Sequence, residues 1–259
     1  MTSSGTRPRF SCWDGTWANA ARRGGQQYSL SQVLKEIKEA GYEGVDLEAS
    51  LAELGSPRDL QVLLAEYGLQ LATLVVPTQA QDARERVDYA SRFGVTVIMV
   101  GGGARPRGKA VGPEDMAVYA AALRDLAGYA ARYGMALAQH THPHSITATT
   151  EEALMLLEQV PENVGICADV AHLQQAGSDP VQAIYRLGAR LKHVHLKDYR
   201  RETDELLELG RGQVDLAGVL RACQDVGYQG WYCVELDESK TTPLESARAS
   251  RSYLQGLLQ

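Results

Sequence analysis

Residues 164–198 read VGICADVAHLQQAGSDPVQAIYRLGARLKHVHLKD. The run Val164–Asp169 is short, apolar and closed by a carboxylate, the pattern of a buried strand. Asp179-Pro180 then supplies a helix start, with aspartate as the cap and proline in the first turn, and Pro180–Leu187 keeps helical spacing. A second apolar run, Lys192–Leu196, follows. Strand, helix and strand in this order predict a parallel unit, because parallel neighbours need a crossover between them.

The same alternation runs outward in both directions. Candidate strands precede the unit at Arg9–Trp13, Gly44–Glu48, Gln70–Val76, Thr96–Gly101 and Ala136–His142, and one follows at Tyr232–Leu236. Helical spacing marks Leu30–Ala40, Pro57–Tyr67, Ala80–Phe93, Pro113–Tyr133, Thr150–Gln159, Leu216–Val226 and Leu244–Leu257. Thr149-Thr150-Glu151-Glu152 reads as a capping region. Glycine beside an aromatic recurs where helix gives way to strand, at Gly41-Tyr42, Tyr67-Gly68, Phe93-Gly94, Tyr133-Gly134 and Gly227-Tyr228. Glycine permits a left-handed cap there, and the aromatic can cover the barrel floor. Eight strand–helix units without a break in composition predict an α/β fold, a single-domain (β/α)8 TIM barrel over residues 9–259. Residues 1–8 read as a short flexible tail. No glycine-rich dinucleotide fingerprint follows the first strand, and Gly101-Gly102-Gly103 reads only as a tight loop.

Composition narrows the function classes. The 259 residues are 44% hydrophobic and 22% charged, ordinary for a folded domain. Lys plus Arg number 26 against 32 Asp plus Glu, a formal charge of −6, which offers no general attraction for nucleic acid or anionic lipid. No apolar run approaches the roughly 18 residues of a membrane span, and the polar start lacks a signal-peptide core. Cys12, Cys167, Cys223 and Cys233 are widely spaced, with no disulfide framework and no Cys-x-x-Cys pair. A soluble cytoplasmic protein with a small-molecule substrate is the expectation, without nucleic-acid or membrane partners.

All six histidines fall between residues 140 and 195, each at or just beyond a predicted strand end. A barrel of this kind builds its active site at the C-terminal ends of its strands. Strand five ends in His140-Thr141-His142-Pro143-His144, where His140 and His142 share a face in extended structure. Strand six ends in Asp169-Val170-Ala171-His172, strand seven carries His193, His195, Lys197 and Asp198, and strand eight ends in Glu235-Leu236-Asp237. A lone strand-end histidine is ordinarily a satisfied core or surface group. Asp169 alone could cap the next loop, and Glu235 alone could pair with an arginine. The combination points instead to a cation, because carboxylates at the ends of apolar strands are costly to bury unpaired. Mixed histidine and carboxylate donors suit Mn, Co, Zn or Fe, with Mg less favoured. Lys197 and Asp198 read equally as a strand-end salt bridge or as substrate contacts.

These residues resemble the sugar phosphate isomerase/epimerase family of xylose-isomerase-like TIM barrels, which includes keto-inositol dehydratases and ketose 3-epimerases. The motifs are Asp169-x-x-His172, His193-Val194-His195-Leu196-Lys197-Asp198, Leu209-Gly210-Arg211-Gly212-Gln213-Val214-Asp215, Gly227-Tyr228-x-Gly230-Trp231-x-x-x-Glu235, and Gly41-Tyr42-x-Gly44-Val45-Asp46-Leu47-Glu48. The resemblance implies one divalent metal held by His140, Asp169, His195 and Glu235, a keto-sugar or cyclitol substrate, and a homo-oligomer as in dimeric or tetrameric relatives. It departs at strand five. There the ketose epimerases carry glutamate, whereas aligning on Thr149-Thr150-Glu151-Glu152 brings His140 to the position without a gap. Keto-inositol dehydratase-like members look similar at this histidine-rich end.

The change lowers the charge of the ligand set from three negatives to two, which makes a bound metal a stronger Lewis acid. It also removes one of two proton-exchanging carboxylates and so disfavours two-carboxylate epimerisation. The resulting expectation is a metal-dependent isomerase, epimerase or dehydratase/lyase working through an enediolate-type intermediate. Glu235 serves as both ligand and base, with His142 and His172 as catalytic proton-relay groups. His193 and Asp198 would support the ligands. Lys197, Arg211, Trp13 and Glu48 would line the substrate pocket. For Arg211 a simple surface role is equally open, for Glu48 an ion pair, and for Trp13 and Trp17 core packing. Two other classes remain: a non-catalytic sugar-binding barrel, and an abasic-site endonuclease-like metal enzyme, which the acidic balance disfavours.

Overall fold

The computed structural model describes residues 7–78 and 81–258. Residues 1–6 of the expected tail, and Ala80 at the expected helix start, lie outside them. Arg7 is placed, 3.6 Å from Glu43.

In chain order the elements are β1 (Arg9–Trp13), α1 (Gly15–Gly24), α2 (Leu30–Glu39), β2 (Gly44–Leu47), α3 (Leu51–Leu54), α4 (Pro57–Tyr67), β3 (Gln70–Pro77), α5 (Ala83–Ala90) and β4 (Val97–Gly101). There follow α6 (Pro113–Ala131), β5 (Ala136–His140), α7 (Thr150–Leu157), β6 (Val164–Asp169), α8 (Val170–Gln175), α9 (Pro180–Leu187) and β7 (Leu191–Leu196). The last are β8 (Asp198–Arg200), β9 (Glu205–Leu207), α10 (Leu216–Asp225), β10 (Trp231–Val234) and α11 (Pro243–Leu257). The strands close as β1-β10-β7-β6-β5-β4-β3-β2, while β8 and β9 form a separate antiparallel pair. Every barrel pairing is parallel. The eight-stranded parallel barrel predicted from the alternation is therefore the fold, and the largest hydrophobic cluster lies between its wall and the helices. No described helix is long and apolar enough to cross a membrane.

The capping predictions hold in detail. Thr149 and Glu152 exchange bonds across the first turn of α7, and the Asp179 carboxylate accepts from Val181 and Gln182 ahead of α9. The junction glycines at 41, 68, 94, 134 and 227 all have positive φ. Of their aromatic neighbours Tyr42 is buried, whereas Tyr133 is exposed, with its ring beside Tyr129 and its hydroxyl on Asp88. One strand boundary needs correction: β5 stops at His140, so His142 does not share a strand face with it. Pro143 has no N–H to donate to a strand ladder, and a turn closes with Ser145 N–H donating to the His142 carbonyl at 2.8 Å. Short helices α1, α3 and α8 and the β8–β9 hairpin were not anticipated; α3 and α8 span four and six residues, too few to show a period.

Two features of the wall position the site. The barrel interior is divided, with Val75, Met99, Ala138 and Cys167 packing as a small apolar cluster on one side. Ser11, Asp46, His193 and His195 form a buried polar group on the other. The second feature is an irregularity between β6 and β7, where Ile166 pairs with Leu191 but Cys167 pairs with His193, skipping Lys192. Beyond the shift Asp169 stands opposite His195. Gly165 accommodates the bulge, since a Cβ there would lie 2.2 Å from the Arg190 carbonyl oxygen. Gly165→Ala is therefore expected to destabilise the chain by about 1–3 kcal/mol through overpacking, read as a lower urea midpoint. An unchanged midpoint would mean that the bulge is not held this tightly.

Candidate metal centre

His140 ends β5, Asp169 ends β6, His195 lies near the end of β7, and Glu235 follows β10, its N–H still bonded to the Leu196 carbonyl at 3.1 Å. One ligand atom from each of these four lies within 4.8 Å of those of the other three. The His140 Nε2 is 3.5 Å from Asp169 Oδ2 and 4.0 Å from Glu235 Oε2, and His195 Nδ1 contacts Glu235 Oε2. Asp169 divides its carboxylate between two tasks. Oδ1 accepts from the N–H groups of Ala171 and His172 and caps α8, which leaves Oδ2 directed at the centre.

Among the described residues, His140 Nε2, Asp169 Oδ2 and His195 Nε2 are buried without hydrogen-bond partners. Buried polar atoms in proteins are nearly always satisfied. His140 Nε2 and Asp169 Oδ2 face each other within the four-donor group, whereas His195 Nε2 faces Asp46 and its Nδ1 faces Glu235. Two imidazoles and two carboxylates with the first two orphans fit a divalent cation of the Mn, Co, Zn or Fe type.

Lys197 is the nearest positive charge. Its fully buried Nζ donates to Glu235 Oε1 at 2.7 Å and Asp237 Oδ2 at 2.6 Å, and lies 3.3 Å from Asp169 Oδ2 and 3.1 Å from His172 Nε2. Burial opposes its charge, but Asp169, Glu235 and Asp237 outweigh burial and hold its pKa above the usual lysine value. Burial likewise opposes the ionised Glu235, yet Lys197 and His195 bring its pKa well below normal. His172 stands edge-on to His142 at a ring separation of 4.5 Å. Burial, followed by the neighbouring His172, His140 and Lys197, pushes the His142 pKa down to about 3, so its ring is neutral at neutral pH.

The remaining expected residues divide by location. Glu48 is at the mouth, where burial and then the Glu235 charge raise its carboxyl pKa. Trp13 is buried at the end of β1, while Trp17 lies in the core with its indole N–H on Glu36 at 2.6 Å. Arg211 is exposed, 3.9 Å from Glu208. His193 turns away from the four donors and bonds Asp46 at 2.6 Å. The Asp198 carboxylate turns away as well, accepting from the N–H groups of Tyr199, Gly210, Gly212 and Val214 at 2.8–3.0 Å. It ties down the loop that carries Arg211. Sequence reading missed Asp46 and Asp237. The available signal for Asp46 was strand alternation, which places it on the face shared with Glu48.

A (β/α)8 barrel with metal-competent donors at the ends of four strands is a restricted class. The chain belongs to the xylose isomerase-like TIM barrel family, whose model matches residues 34–257. It is 30% identical to the rhizopine catabolism protein MocC of Rhizobium meliloti, over 92% of this chain and 85% of that protein. With an inosose dehydratase of Clostridium perfringens it shares 26% identity over 89% of this chain and 90% of the relative. Among solved structures, the IOLI protein with a bound zinc atom superposes with a TM-score of 0.78 at 19% identity, covering 96% of this chain and 98% of that one.

Two outcomes test the surroundings of the centre. Asp198→Ala strands buried N–H donors and should cost at least about 2 kcal/mol, with faster proteolysis between residues 208 and 215. Equal cleavage rates would contradict the tethering role. Separately, burial raises the Asp14 carboxyl to about 7 despite N–H bonds from Glu48 and Ala49. The folded chain then keeps a proton that the unfolded chain loses near about 3.9. Stability from this group is lost as pH rises from about 4 to about 7. Urea midpoints across that range should fall less steeply for Asp14→Asn than for the wild type, and parallel slopes would refute the assignment.

Proposed function

We propose that the chain is a divalent-metal-dependent lyase that dehydrates a keto-cyclitol or related keto-sugar. The observation that carries this reading is the convergence of His140, Asp169, His195 and Glu235 beside Lys197, Asp237 and His172. The relatives' names, inosose dehydratase above all, support the substrate class. When bound, a divalent ion would supply Lewis-acid polarisation of a carbonyl or hydroxyl oxygen.

The chain's own groups account for the proton movements. Glu235 is the carboxylate best placed to take the proton α to the ketone, and Lys197 holds it by Oε1. The C–H electron pair forms the enediolate-type intermediate. That intermediate then expels a β-hydroxyl, which leaves with its bonding pair and takes up a proton as water. Lys197 is charged, buried and 3.1 Å from His172 Nε2, so the Lys197–His172 pair can deliver that proton. Neutral His142 extends the relay from His172. With His140 in place of a carboxylate, Asp169 and Glu235 are the acidic ligands that remain, and Asp169 is engaged in capping α8, which favours elimination over two-carboxylate epimerisation.

Elemental analysis tests the centre first. The purified wild type should hold near one equivalent of metal, and both His140→Ala and Glu235→Ala should hold less. Lys197→Met should keep the metal and lower turnover of an inosose by at least about 100-fold, the usual worth of a positioned proton donor. Water loss from an inosose, followed by absorbance of the unsaturated product, is the expected reaction. Epimer formation without water loss would move the reading to the epimerase side. A metal-free wild type that also refuses added Mn, Co and Zn would overturn it and leave a sugar-binding barrel.

A further inference from the structure

Asp46 lies on β2 behind the centre, and all of its contacts are buried. Its Oδ1 accepts from Ser11 Oγ at 2.6 Å, its Oδ2 from His193 Nε2 at 2.6 Å, and Oδ2 stands 3.5 Å from His195 Nε2. Asp46, Ser11 and His195 have no solvent exposure and His193 has 2%. Among the described residues, the ion-pair partners of Asp46 are these two imidazoles alone. On the opposite side of the barrel the interior is filled by Val75, Met99 and Ala138. A buried carboxylate costs several kcal/mol more than such residues unless it is fully paired, so packing alone does not call for one here.

We infer that Asp46 is a positioning residue that fixes the tautomer and the ring orientation of His195. The inference rests on the metal centre proposed above. His195 presents Nδ1 to Glu235 and Nε2 to Asp46. An Nε2–H directed at Asp46 leaves the lone pair on Nδ1, the side shared with Glu235, where a metal ligand must offer one. The opposite tautomer would set a lone pair against the Asp46 carboxylate and an N–H against the other donors. A metal-bound imidazole is commonly held this way, by a carboxylate on its second nitrogen. Ser11 and His193 hold both oxygens of Asp46 in turn, so the orientation is set from three strands, β1, β2 and β7.

The test uses the full chain, with Zn2+ as the probe, and compares the wild type with Asp46→Ala and with Asp46→Asn, which keeps the volume and one acceptor. Zinc affinity from chelator competition should fall about 10–100-fold in Asp46→Ala and less in Asp46→Asn. Zinc-loaded wild type, labelled with 15N-histidine, should show His195 protonated at Nε2 with a slowly exchanging proton, and that signal should be lost in Asp46→Ala. Unchanged affinity and an unchanged His195 signal would overturn the inference. So would a loss confined to the melting temperature of the metal-free protein, which marks a structural role only. A wild type that binds no zinc fails at an earlier step and removes the centre itself.

Discussion

Three carboxylates, Asp46, Asp169 and Glu235, sit inside a closed barrel with at most 5% exposure, and the rest of the molecule is arranged around meeting their charge. Removing an ion from water costs several kcal/mol even after relaxation, and a pair recovers that cost only with good geometry. Each carboxylate is answered differently. Asp46 has two imidazoles and a hydroxyl. Glu235 shares Lys197 with Asp237. Asp169 gives one oxygen to the start of α8 and keeps the other without a hydrogen-bond partner. The negative charge left over on Asp169 lies beside the unpaired Nε2 of His140, and a divalent cation fits both.

The wall geometry serves the same end. A uniform register between β6 and β7 would carry the β7 side chains to the other face, because side chains alternate along a strand. The shift after Ile166 brings His195 opposite Asp169, and Gly165 leaves room for it. The site thus depends on a glycine that takes part in no chemistry.

Much of this was legible in the sequence, because the fold and the ligands announce themselves by local pattern. Val164–Asp169 reads as a strand ending in a carboxylate without knowledge of its neighbours, and the same holds for β7 and its histidines. What could not be read depends on partners far apart in the chain. Asp198 looked like a substrate or support residue. Its bonds to Gly210, Gly212 and Val214 come from the loop after β9, which has no periodic signature. Asp46 stood inside a quoted motif, but its significance comes from His193 and His195, nearly 150 positions later. His142 was placed on a strand that ends two residues earlier. It still lies beside His172, because the turn at Pro143 folds it back over the barrel mouth.

The exchange of an acidic ligand for His140 ties these threads together. A centre with three carboxylate ligands would carry more negative charge, and the adjacent Lys197 would be drawn further into compensating it. With His140, the proposed ligand set carries two negative charges, which match a divalent ion, and the closest partners of the ammonium are Glu235 and Asp237. Asp237 shares the ammonium with Glu235 from outside that set and helps to keep it charged. On the proposed reading, dehydration needs one group to hold the developing enediolate while another delivers a proton to the departing hydroxyl. An epimerase has the opposite need, two proton-exchanging groups of matched strength on the two faces of one carbon. On the proposed reading, a histidine at the strand-five position and a buried ammonium beside Glu235 together favour elimination.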